Sequence, residues 1–281
     1  MTGPVLPSPT WIVGCGNMGG AIVEGWRSAG VDLGQAVVIR PSGTPVEGVR
    51  TVKSFAEAGQ PPKLVLLAVK PQKLDEVAPQ LKTWLTSKAT VVSILAGVEA
   101  GTLRERFRNA GAIVRAMPNL PVAIRRGVIA LYSEDADDRL RQQLGDLFAA
   151  LGFGLWVNEE AKLGTVGEVA GAGPGYVARF IAALAKAAEQ RGLSPEIASS
   201  VALETVLGTA WLAATTRETM DQIARRVASP NGTTEAGLAV LDHDRVLDQL
   251  IQVTIEAAGR RDAELAAAAK APSLAEPARL H

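Results

Sequence analysis

Residues 10–19 read Thr10-Trp11-Ile12-Val13-Gly14-Cys15-Gly16-Asn17-Met18-Gly19, and this stretch decides the fold. Thr10, Trp11, Ile12 and Val13 are β-branched or aromatic, which predicts a short buried strand. The strand runs straight into G-x-G-x-x-G, and a helical pattern follows over residues 17–29, with Gly30 placed to stop it. In that setting Gly14 permits a tight turn, Gly16 lets backbone approach a pyrophosphate, and Gly19 lets helix and strand pack closely. The helix start, at Asn17 and Met18, offers free N–H groups and a partial positive charge to phosphates. The same letters without a strand before and a helix after would be only a glycine-rich turn. Cys15 fills a variable position of the motif and reads as a small packing residue.

Outward from this motif, apolar runs predict further strands at 36–39, 64–69, 90–95, 112–117, 128–132 and 153–157. Helical patterns fall between them at 74–85, 103–107 and 137–151. The strands are continuous apolar runs, as a parallel sheet covered on both faces requires. Strand–helix alternation of this kind predicts an α/β fold with a Rossmann-type doubly wound parallel sheet over residues 1–159. Beyond residue 159 strand patterns stop, and helices are predicted at 176–191, 195–215, 219–227, 233–241 and 245–269. Phe180, Ile181, Leu184 and Ala188 recur at helical spacing on a broad apolar face. Residues 160–270 therefore read as an all-α dimerisation domain that covers such faces with a second subunit, the alternative being that they pack on one another. Residues 271–281, with Pro272 and Pro277, read as a disordered tail.

Composition narrows the function. Lys plus Arg equals Asp plus Glu at 29 each, so there is no basic field to hold nucleic acid or an anionic membrane. The sequence holds one cysteine and two histidines, His243 and His281, which argues against a disulfide, a Cys/His metal site and a Ser-His-Asp hydrolase. The opening residues lack the pattern of a signal peptide, and no apolar run approaches the length of a membrane span. The cytoplasm is the expected location.

About twenty residues after the glycine motif, an NAD enzyme usually carries an acid for the ribose hydroxyls. Here the strand at 36–39 ends in Arg40-Pro41-Ser42. A guanidinium and a hydroxyl suit a 2′-phosphate, which favours NADP (NADPH) with NAD still possible. Ala96 and Asn119, at the ends of two strands, are placed to border the cofactor, and Lys70 likewise, because ligands gather outside the carboxyl ends of such strands.

Five blocks in order then resemble the pyrroline-5-carboxylate reductase family. Gly14 to Ile22 is similar to G-x-G-N-M-G-x-A-I, and Ala68-Val69-Lys70-Pro71 to A-V-K-P, which implies that Ala68, Lys70 and Pro71 contact the cofactor. Met117-Pro118-Asn119-Leu120-Pro121 resembles M-P-N-T-P. Gly171-Ala172-Gly173-Pro174-Gly175-Tyr176 resembles G-S-G-P-A-[YF]. Ser229-Pro230-Asn231-Gly232-Thr233-Thr234 resembles S-P-G-G-T-T. The blocks span almost the whole chain. Departures lie on the substrate side: Leu120, Ala172, Gly175, Asn231, the stretch 164–170 against D-A-V-T-A-V-S, and Glu218-Thr219-Met220-Asp221 in place of an H-P pair.

The resemblance implies NADPH-dependent reduction of the cyclic imine Δ1-pyrroline-5-carboxylate to L-proline, in a homodimer or larger assembly. It also implies roles on the substrate side. The Ser229 hydroxyl and the Gly232 and Thr233 amides grip a carboxylate, Thr234 hydrogen-bonds the ring nitrogen as the catalytic residue, and Glu160 approaches the substrate. Read locally, Ser229–Thr234 also fits an ordinary helix N-cap, and Glu160 a solvated acid in a first helical turn. Two alternatives stand beside this function: a reductase of another cyclic imine, and a non-catalytic NADP-binding protein.

Overall fold

The computed structural model describes residues 4–270; the expected disordered tail lies outside them. The strands are β1 (Thr10–Val13), β2 (Ala36–Ile39), β3 (Arg50–Val52), β4 (Leu64–Leu67), β5 (Thr90–Ser93), β6 (Ala112–Pro118), β7 (Gly127–Tyr132) and β8 (Gly152–Trp156). They form one sheet in the order β3-β2-β1-β4-β5-β6-β7-β8. The order reverses at β1, which pairs with β2 through Val13↔Ile39 and with β4 through Val13↔Leu67. That reversal is the switch point where a doubly wound sheet opens a crevice beyond its carboxyl ends. The sheet is not wholly parallel as the apolar runs suggested: β7 pairs with β6 antiparallel, and β8 follows β7 in parallel.

Helices α1 (Asn17–Ser28), α2 (Phe55–Ala58), α3 (Leu74–Leu81), α4 (Ala100–Arg106) and α5 (Asp138–Ala149) cover the sheet. Successive strand residues feed opposite faces, so the central strands are buried along their length and mostly apolar, as in Leu64–Leu67. Ile12, Val38, Leu64 and Leu66 pack with Trp26, Leu147 and Phe148 on one face. Trp11, Val13, Val37, Val65 and Leu67 pack with Leu81, Leu103 and Phe107 on the other. Trp26 is fully buried, donates Nε1–H to the Leu147 carbonyl at 3.1 Å, and lies 5.7 Å from the Phe148 ring. Each such side chain contributes about 1.5–3 kcal/mol through burial.

After β8 come α6 (Glu160–Val166), a π-helical turn (Gly167–Gly171), α7 (Gly173–Gln190), α8 (Pro195–Thr216), α9 (Met220–Val227), α10 (Thr233–Asp242) and α11 (Val246–Lys270). The chain divides into two compact units, one of residues 1–172 with 258–281 and one of Gly173–Ala257. The division falls later than residue 159 because Leu163 is buried with Ala130, Tyr132 and Val157, which ties α6 to the sheet.

In the helical unit α7 and α8 form a hairpin. Its buried cluster is Ala185, Ala198 and Ala202, with Ile181 and Ala188 against it. α8 corrects one expectation from sequence, since its 22 residues are long and apolar enough, by length and composition, to cross a membrane. Polar residues interrupt the run without making the helix polar. Ser200 and Thr205 return their hydroxyls to the carbonyls of Glu196 and Val201 at 3.0 and 2.7 Å.

Candidate active site

The glycine-rich turn has the geometry its letters predicted. Gly14 holds φ +77°, and a Cβ there would lie 2.7 Å from the Ala68 carbonyl oxygen. No L side chain fits that approach. A Cβ on Gly19 would stand 3.1 Å from the Ala68 Cβ, so glycine lets α1 pack closely against the residue that follows β4. Gly16 is the N-cap of α1 without a side-chain cap, and the space over it is open. The first-turn N–H groups of α1, with Asn17 exposed and Met18 half-buried, therefore face a surface with room for phosphates. Burial pushes the Cys15 thiol up, against the opposite pull of the nearby Arg40 guanidinium. Cys15 is thus a packing residue in a protonated state, not a nucleophile.

The other residues expected at the cofactor collect at the carboxyl ends of the parallel strands. Arg40 follows β2, and its N–H donates to the Val52 carbonyl at 3.0 Å. Ser42 Oγ accepts from the Thr44 N–H and hydroxyl at 3.3 and 3.0 Å. Ala68 follows β4, with exposed Lys70 and then Pro71 opening a short 3-10 turn. Ala96 is exposed after β5. Asn119, after β6, is 6% exposed and differs from the rest. Its Oδ1 accepts from the Val128 N–H at 2.8 Å and its Nδ2 donates to the Ala170 carbonyl at 2.9 Å. Its side chain ties β7 and the π-helical turn to the end of β6, and its carbonyl accepts from the Val122 N–H at 3.1 Å.

Two cavities open within the sheet unit. One, of about 370 Å³, is lined by Gly97, Arg115, Glu160 and Glu168 among others. The second, of about 300 Å³, is lined by Ala96, Met117, Gly167 and Glu168. Both are walled by residues of α11, including Asp262. Glu160 is not a solvated acid. Its Oε1 accepts from Arg115 Nη1 at 2.8 Å and from the Ala100 N–H, the start of α4, at 2.7 Å. Arg115 is 6% exposed, so this carboxylate neutralises a buried cation before it meets any ligand. Sequence reading missed Arg115, although a charge inside the apolar run of β6 was the signal. It also left Glu168 unassigned; that residue stands where the resembled pattern has Ala, in a π-helical turn of the kind found at functional sites.

In the helical unit, the late motif forms the start of α10. Gly232 is its N-cap, with no side-chain cap, and its N–H donates to the Ser229 carbonyl at 2.9 Å. A Cβ at Gly232 would fall 2.3 Å from Ser229 Oγ and 2.9 Å from the Ser229 carbonyl oxygen, so a side chain there would push the Ser229 hydroxyl off the turn. Asn231 stands where the resembled pattern has Gly and holds φ +58°, a conformation Asn tolerates better than most residues. Its N–H donates to Glu235 Oε2 at 2.6 Å, and that carboxylate shows the turn's preference for an anion. Thr234 is half-buried beside exposed Ser229 and Thr233. The sequence departure at Glu218-Thr219-Met220-Asp221 also has a local purpose. Thr219 and Gln222 form a reciprocal capping box that opens α9.

Residues 160–265 match the family profile described as pyrroline-5-carboxylate reductase dimerisation, and residues 11–97 match NADP oxidoreductase coenzyme F420-dependent. The pyrroline-5-carboxylate reductase of Pseudomonas aeruginosa is 35% identical over 264 residues, covering 90% of this chain and 95% of that one. The Synechocystis enzyme of the same name is 40% identical over 219 residues, covering 77% and 80%. Among solved structures, a pyrroline-5-carboxylate reductase from Coxiella burnetii superposes with TM-score 0.85 at 32% identity, covering 92% of this chain and 99% of that one. A Plasmodium falciparum pyrroline carboxylate reductase with NADP bound gives TM-score 0.82 at 25% identity, covering 92% and 98%.

Proposed function

The chain belongs to the pyrroline-5-carboxylate reductase family, and from that premise we propose that it reduces Δ1-pyrroline-5-carboxylate to L-proline with NADPH. The observation that carries the reading is the start of α10, where Gly232 lets the Ser229 hydroxyl fold over the turn and no side chain caps the helix. The N–H groups at the mouth of this ten-residue helix suit a carboxylate, which would draw the Gly232 N–H from the Ser229 carbonyl it meets at 2.9 Å. In this reading Ser229, Gly232 and Thr233 grip the substrate carboxylate, and the Thr234 hydroxyl holds the ring nitrogen. NADPH supplies the hydride when bound. The chain's part is to hold and orient, which suits a sequence nearly without histidine.

For the cofactor we assign the α1 N-terminus with Gly14, Gly16, Asn17, Met18 and Gly19 to the pyrophosphate, and Arg40 with Ser42 to the 2′-phosphate. Ala68, Lys70, Pro71, Ala96 and Asn119 border the dinucleotide along the strand ends. The uncapped α1 and the open space over Gly16 support this assignment. Glu160 enters as a positioning residue through Arg115. The assembly is a homodimer or a larger homo-oligomer acting in the cytoplasm, supported by the apolar faces of the helical unit and by the dimerisation profile.

The test follows NADPH absorbance with pyrroline-5-carboxylate for the wild type and Thr234→Ala. A hydrogen bond to a charged group is worth about 1.5–3 kcal/mol, so kcat/KM falls roughly ten- to hundred-fold. Equal rates would remove Thr234 from the mechanism, and no NADPH oxidation by the wild type with any imine would leave a binding protein. A second reading, reduction of a different cyclic imine, is favoured by Glu168, whose carboxylate lines both cavities. It expects Glu168→Ala to improve turnover of pyrroline-5-carboxylate.

A further inference from the structure

The connection from β2 to β3, residues 40–49, contains no helix. Parallel neighbours usually need a longer, helical crossover, so this route is held by close local contacts. The Gly43 N–H donates to the Arg40 carbonyl at 2.9 Å, Gly43 holds φ +64°, and the Val46 N–H donates to Thr51 Oγ1 at 3.1 Å. Pairing of Ile39 with Val52 brings the carboxyl ends of β2 and β3 level. Lys53 therefore leaves β3 at the same edge at which Arg40 leaves β2.

The Lys53 stem lies over the bare face of Gly43. A Cβ on that glycine would meet Lys53 Cε at 2.6 Å, Cγ at 3.1 Å and Cδ at 3.4 Å. The lysine is thus carried back across the turn that also bears Ser42 and Thr44, whose hydroxyls are joined at 3.0 Å. Among the described residues, neither Arg40 nor Lys53 is in an ion pair. The nearby acid, Glu57, is engaged by the Ser54 hydroxyl at 2.8 Å and the Lys53 N–H at 3.4 Å. Two cations and two hydroxyls carried by the ends of β2 and β3 and this turn suit a compact dianion, which would compete with Glu57 for the Lys53 charge. A ribose phosphate monoester carries about −1.5 to −2 charges at neutral pH, more than one guanidinium balances.

We propose that Lys53 is the second cation of the 2′-phosphate site, folding over Gly43 onto a phosphate shared with Arg40, Ser42 and Thr44, and that it sets the preference for NADPH over NADH. The proposal rests on the reading that the Arg40 end of β2 faces the adenine ribose. Gly43 then has a second use, since a side chain there would displace the lysine.

The test compares wild type, Lys53→Ala, Lys53→Arg and Arg40→Ala in the full-length enzyme. Two measurements are taken: kcat/KM with NADPH and with NADH, and calorimetric binding of 2′,5′-ADP and 5′-AMP. Lys53→Ala should raise the KM for NADPH and weaken 2′,5′-ADP binding by about tenfold, while NADH turnover and 5′-AMP binding stay within about twofold. Lys53→Arg should keep most of the preference, and the salt dependence of 2′,5′-ADP binding should flatten in Lys53→Ala. Equal weakening of all four ligands would make Lys53 merely structural and overturn the proposal. An unchanged preference in Lys53→Ala with a lost one in Arg40→Ala would overturn the role of Lys53 alone. An unchanged preference in both would overturn the underlying reading of the β2 end as well.

Discussion

The two compact units solve the problem of burial in opposite ways. The sheet unit covers both faces of β1, β4 and β5 within one chain and leaves side chains such as Trp11, Trp26 and Phe107 without solvent contact. The helical unit buries a cluster of three alanines and leaves Phe180, Leu203 and Leu207 at 53%, 50% and 54% exposed. A cluster of alanines gives little hydrophobic stabilisation, and a patch of this extent marks a surface that another protein covers. One unit is complete as a single chain, and the other is half of an interface.

The largest expected effect breaks the second half of that contrast. Leu203→Asp combined with Leu207→Asp places carboxylates on the exposed face of α8, where burial against a partner would cost several kcal/mol for each ion. Light scattering should report monomers at micromolar concentration, with NADPH turnover down by more than about a hundredfold. An unchanged mass would take α8 out of the interface. Next comes the sheet unit. Trp26→Ala should cost about 3–5 kcal/mol in urea unfolding, whatever the protein concentration. Phe180→Ala sharpens the comparison, because its effect on Tm should grow as the protein is diluted, the signature of linked assembly.

A smaller effect separates the two readings of Glu160. Glu160→Ala strands the buried Arg115 guanidinium and should cost about 3 kcal/mol, with Glu160→Gln recovering part of it. A loss of turnover without a loss of stability would return Glu160 to the substrate. The smallest effect concerns Cys15. Its raised pKa keeps the thiol protonated at neutral pH, so alkylation should be slow near pH 7 and accelerate as the pH rises toward the shifted value. Cys15→Ala should change kcat/KM by less than about twofold.

The sheet was legible because a strand covered on both faces reads as a nearly continuous apolar run, and Leu64–Leu67 states that plainly. Direction was not legible. Residues 127–132 are apolar whichever way they run, and only their pairing with β6 reveals the reversal. β3 escaped because Arg50–Val52 is three residues long at the sheet edge, with one exposed and one half-buried position. At the glycine-rich turn, the tight bend at Gly14 and the close packing at Gly19 were legible in the spacing. The contacts of Asn119 and Glu160 were not, since their partners lie 51 and 45 residues away in Ala170 and Arg115. The charge inside β6 marks Arg115 as needing a partner, but nothing local says which acid supplies it.

Helix α11 begins in one unit and ends in the other, and residues 258, 259, 261–263 and 266 wall the two cavities of the sheet unit. The order of synthesis on the ribosome gives this a consequence. The strands and the glycine-rich turn emerge early, yet their last wall is translated after the entire helical unit. A nascent chain can fold its nucleotide-binding half long before that half is finished, and a chain cut short at residue 257 would keep the sheet while leaving both cavities open on one side.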